Sequence, residues 1–103
     1  MAESIKIRAA QQGEWTEIRI LMRHPMENGL RKNEAGQVLP AHFIQTFQVL
    51  HNSKVLIDGQ LNTSVSRDPL FAFRARGIKV GDKLAVSWLD NQGVQRSDEI
   101  SAS

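Results

Sequence analysis

Apolar and polar residues alternate along most of the chain, the pattern of a strand with one buried face. Ile5, Ile7 and Ala9 interleave with Ser4, Lys6 and Arg8, and between Thr16 and Arg23 the residues Ile18, Ile20 and Met22 oppose Glu17, Arg19 and Arg23. Phe43 to His51 puts Phe43, Phe47 and Val49 on one parity and Ile44 and Leu50 on the other. Lys54 to Leu61 presents Val55, Ile57 and Leu61, Leu70 to Arg76 presents Phe71, Phe73 and Ala75, and Lys83 to Asp90 presents Leu84, Val86 and Trp88. A last run, Val94 to Ile100, is mostly polar and is expected at a sheet edge. Turn residues separate the runs: Gln11–Gln12–Gly13, Asn52–Ser53, Gly77, Gly81–Asp82 and Asp90–Asn91–Gln92–Gly93. No window holds a 3.6-residue period. The pattern predicts an all-β chain, an immunoglobulin-like (fibronectin III-like) β-sandwich of about seven antiparallel strands forming one domain over residues 1–103. Trp15 and Trp88 are expected in the core or at its rim.

One segment breaks the rhythm. His24 to His42 is longer than the connections of about 4–6 residues that join most elements. Pro25, Met26, Leu30, Val38, Leu39 and Pro40 give it rigid points and apolar anchors, so it is expected to be ordered. Asn33–Glu34–Ala35–Gly36 reads as a β-turn at its tip. Such a loop on a sandwich is a natural recognition surface, and it can equally be a cap over the end of the core.

Composition narrows the function more than it defines it. The chain has 103 residues, 41% of them hydrophobic and 23% charged, and a formal net charge of +2. That length makes one self-sufficient core. The absence of cysteine removes disulfides, thiolate metal sites and a cysteine nucleophile. Thirteen Lys and Arg against eleven Asp and Glu, with no basic block, do not point to nucleic acid. The first residues carry Glu3, Lys6 and Arg8 and no apolar run, so no signal peptide is expected, and no stretch is apolar enough to span a membrane.

Catalytic signatures are missing. His24, Glu27, His42 and His51 lie on loops or strand ends without the helical spacing that aligns metal ligands, so no metal site is expected and His51 is expected to face water. Ser64, Ser66, Ser87 and Ser97 have no patterned histidine partner. Gly77 to Lys83 departs from a phosphate loop in spacing and is a turn. Asp82, Asp90, Asp98 and Glu99 sit near predicted turns with no apolar surroundings for acid catalysis. The reading is no catalytic residue, no cofactor and no enzyme. Arg23, Arg31, Lys32, Arg74, Arg76, Lys79 and Lys83 supply most of the positive charge; dispersed, they are solvated, and converging, they suit an acidic protein surface or an anion.

The segments His24-Pro25-Met26-Glu27-Asn28-Gly29, Leu30-Arg31-Lys32 and Pro40-Ala41-His42-Phe43-Ile44 resemble the hallmark of the SoxZ family of bacterial thiosulfate oxidation. Ile5 to Ala9, Val65 to Phe73, Gly81-Asp82-Lys83 and Trp88-Leu89-Asp90 extend the resemblance over nearly the whole chain. It implies a non-catalytic subunit that pairs with SoxY in the SoxYZ carrier, where a cysteine on SoxY bears the sulfur intermediates. It also implies transient contact with other Sox proteins and a periplasmic location reached by co-export with SoxY. His24, Met26, Glu27, Leu30, Arg31, Lys32, His42 and Phe43 are the expected partner-binding residues, with Met26, Leu30 and Phe43 as apolar anchors. Exposed edge strands leave self-association open when SoxY is missing. The alternatives are an immunoglobulin-like binding module of another assembly and a small hydrolase built on the loop histidines.

Overall fold

The computed structural model describes residues 3–103. Seven strands run in chain order: β1 (Lys6–Gln12), β2 (Trp15–Leu21), β3 (Ile44–His51), β4 (Lys54–Gln60), β5 (Leu70–Ala75), β6 (Lys83–Asp90) and β7 (Gln95–Ser101). Every pairing is antiparallel, in a three-stranded sheet β1-β2-β5 and a four-stranded sheet β4-β3-β6-β7. Among the described residues there is no helix. The predicted β-sandwich is therefore the observed fold, with the polar β7 at an edge.

The period-2 pattern explains which faces meet. Ile18 and Ile20 of β2 turn inward with Val49 of β3 and Leu84, Val86 and Trp88 of β6, all buried. Phe47 and Phe71 stack across the two sheets with ring centroids 5.0 Å apart. The β3–β4 hairpin closes on Asn52 (φ 48°) and Ser53 (φ 70°), the pair of left-handed residues that matches strand twist in a two-residue turn.

Two expectations need correction. Trp88 is in the core, but Trp15 is 37% exposed, because it shares the outward parity of Glu17 and Arg19 while Thr16, Ile18 and Ile20 point inward. His51 does not simply face water: its Nε2 lies 2.7 Å from Asp82 Oδ2. The Lys79 backbone N–H and His51 hold the Asp82 carboxyl down at about 2, so the 79–82 turn is tied to the end of β3.

Candidate functional site

Within the β2–β3 connection, the His24–His42 segment folds into a two-stranded arm. At its base, Glu27 and His42 exchange both backbone hydrogen bonds, at 2.7 and 2.9 Å. Farther out, the Leu39 N–H donates to Arg31 O and the Asn33 N–H to Gln37 O. The tip is the expected turn: the Gly36 N–H donates to Asn33 O, and Asn33 Oδ1 accepts the N–H groups of Ala35 and Gln37. Gly36 supplies a φ of 78° there.

The base is clamped to the sandwich by a buried polar cluster. Asp90, at the end of β6, has a carboxylate with no exposed surface, and its Oδ2 lies 3.0 Å from His24 Nε2 and 2.8 Å from His42 Nε2. Its Oδ1 accepts the N–H groups of Gln92 and Val94, both at 2.9 Å. Burial alone pushes this carboxyl up. The hydrogen bonds from His24, Val94, His42 and Gln92 outweigh it and hold the group below its ordinary value. A carboxylate only accepts, so both imidazoles donate to it.

His24 has its second nitrogen committed as well. Its Nδ1 accepts the Met26 N–H at 3.1 Å, which fixes the ring as the neutral tautomer protonated on Nε2. Burial pushes its pKa down, reinforced by the neighbouring His42 and opposed by Asp90. The ring packs edge-on against Trp88 and His42, at 5.1 and 4.5 Å between centroids. Met26 sits at φ 50°, a left-handed conformation costing about 1 kcal/mol or more, and is held there because its Sδ also accepts the Ile44 N–H.

Further hydrogen bonds converge on the same place. Asp68 Oδ1 accepts the His24 N–H, and the Asp68 N–H donates to His24 O. Asn91 accepts the Phe43 N–H on its side-chain oxygen, donates to Ala41 O and donates its own N–H to Phe43 O. Two separate parts of the chain, Asp68 and the Asp90–Asn91 turn, thus grip both ends of the arm.

His24, His42 and Asp90 bring three ligand-type atoms within 4.8 Å of one another. A metal-bound histidine donates its second N–H to an acceptor. Here the second nitrogen of His24 faces a donor, so the arrangement suits a hydrogen-bonded clamp better than a metal centre. His42 remains partly exposed in an open cleft of about 350 Å³, a His–Asp pair with the outline of a catalytic dyad. The residues lining that cleft include no serine, threonine or cysteine to serve as its nucleophile.

The eight expected partner-binding residues divide into two groups. His24 and Met26 are buried, His42 and Phe43 half-buried, and all four belong to the base. Leu30, 80% exposed, and Arg31 and Lys32 lie on the outer arm, where residues 30–38 are all exposed. Glu27 stands between and pairs with Arg31. The expectation that Asp90 lies at a turn without apolar surroundings needs correction: it is at the turn, but its carboxylate is fully buried, because one oxygen turns inward to residues 48 and 66 positions away. The sequence carries no signal that gives Asn91 or Asp68 a role at the site.

Residues 5–101 match the family model described as sulphur oxidation protein SoxZ. No curated protein matches the chain.

Proposed function

The chain belongs to the SoxZ family, which places it in sulfur oxidation, and from that premise we propose that it is the non-catalytic, SoxY-binding half of a SoxYZ sulfur carrier. The match over 97 of its 103 residues carries this reading. The chemistry agrees with it: these 103 residues hold no cysteine, so a sulfur adduct on a thiol must reside outside them. Binding then falls to surface, and the arm supplies one. Leu30 and Val38 expose apolar side chains beside Arg31 and Lys32, on a ribbon whose base is already ordered. A pre-ordered ribbon loses little entropy on docking.

In this reading the outer arm contacts SoxY, the base holds its angle, and the complex works in the periplasm, exported with SoxY and visited in turn by other Sox proteins. Co-expression with the SoxY of the same genome tests it. A 1:1 complex is expected, with SoxY affinity falling at least about tenfold in L30A/R31A/K32A while the fold is retained. Failure of SoxY to co-purify, together with a stable complex with an unrelated protein, favours the generic binding module instead.

A further inference from the structure

The outward face of β1-β2-β5 carries charge that the fold itself does not use. Strand register sets four rows across it: Lys6, Leu21 and Leu70; Arg8, Arg19 and Ala72; Ala10, Glu17 and Arg74; then Gln12 and Trp15, with Arg76 just beyond β5. Lys6, Arg8, Arg19, Arg74 and Arg76 thus share one face with a single carboxylate, Glu17, which bonds Arg19 at 2.9 Å. Lys6, Arg8, Arg74 and Arg76 have no carboxylate partner among the described residues. The chain as a whole is only +2, so this face is far more basic than the rest.

Arg8 stands directly opposite Arg19 in the β1–β2 ladder. Like charges paired across strands destabilise a sheet. We propose that this face is a docking surface for an acidic patch on a partner protein, separate from the arm. A protein fits better than nucleic acid, because the Trp15 ring is already covered by the Arg76 guanidinium at 4.2 Å and is not free to stack a base. The half-buried Leu21 and the 64% exposed Leu70 add the apolar element that protein interfaces place among arginines and tryptophans. Encounter with an acidic partner is steered by this field and weakens as salt screens it.

The test uses immobilised poly-L-glutamate as the acidic probe, beside an oligothymidylate and phosphatidylglycerol vesicles. Wild type binds poly-L-glutamate at low salt and loses about tenfold or more in affinity between about 25 and 150 mM NaCl. R8E/R19E/R74E, and the milder R8Q/R19Q/R74Q should the first fold poorly, lose at least about tenfold at low salt. K54E/K79E/K83E removes as much charge from elsewhere and stays within about twofold, as does the arm variant L30A/R31A/K32A, which separates this face from SoxY binding by the arm. Equal losses in both charge-reversed triples, no binding of poly-L-glutamate, or tighter face-dependent binding of the oligonucleotide or the vesicles would each overturn the proposal.

Discussion

The two ends of one arm are built on opposite principles. At the base, a carboxylate with no exposed surface accepts two imidazole and two backbone N–H groups, so both of its oxygens are paired within the fold. At the tip, residues 30–38 lie in water and the hydrogen bonds are short-range ones among Asn33, Ala35, Gly36 and Gln37. A buried polar network is costly to disturb, while exposed local bonds cost little to open. In the proposed function the base sets orientation and the tip makes contact, so damage to each should show in a different measurement.

The largest effect is expected from Asp90→Ala. It leaves four donors facing a cavity, and a loss of about 3 kcal/mol or more is expected in urea unfolding. Met26→Ala follows at about 2–3 kcal/mol, since it empties buried volume and removes the acceptor for the Ile44 N–H. An unfolding midpoint for Asp90→Ala equal to that of wild type would show the base to be no clamp at all.

Acid should act on the base next. The folded state favours neutral His24, so its contribution is fully present above the ordinary histidine value of 6.5 and is lost as pH falls below it. Asp90, held down in the folded state, contributes above its ordinary value of 3.8 and loses that contribution as pH falls through its lowered folded value. Stability should therefore decline in two stages, the first beginning as pH falls below 6.5 and ending once His24 is protonated in the folded chain as well. His24→Gln should flatten that first stage, and an undiminished slope in the variant would remove His24 as its source.

The smallest stability effects belong to the tip. Leu30→Ala and Val38→Ala should move unfolding by less than about 0.5 kcal/mol, because both side chains are already in water. The same changes should weaken SoxY binding. A large stability loss at Leu30 would make the outer arm part of the core and end the comparison.

The sequence patterns differ in how far they reach. Alternation in Thr16–Arg23 or Lys83–Asp90 is local, so those strands, their inward residues and the 33–36 turn are readable; Val55, expected on the apolar face of β4, is instead 59% exposed, beside the register shift at Val49/Leu50. Residue type alone puts Trp15 in the core, but strand parity places it outward beside Glu17 and Arg19. The clamp was not readable. His24 and His42 lie 66 and 48 positions from Asp90, and only the folding of β6 against the arm brings them to one oxygen. Local spacing carries no information about such a meeting. The segments quoted for the SoxZ resemblance do frame the arm, and their residues divide between the buried clamp and the exposed outer arm.

Hydrogen–deuterium exchange of the free chain and of its SoxY complex, read amide by amide at neutral pH, tests the central claim most directly. The account predicts slow exchange at Met26, Glu27, His42 and Ile44 in both states. It predicts fast exchange at Leu30, Ala35 and Gly36 in the free chain, slowed about tenfold or more when SoxY is bound. A base that exchanges as fast as the tip, or a tip left unprotected in the SoxY complex, would contradict it.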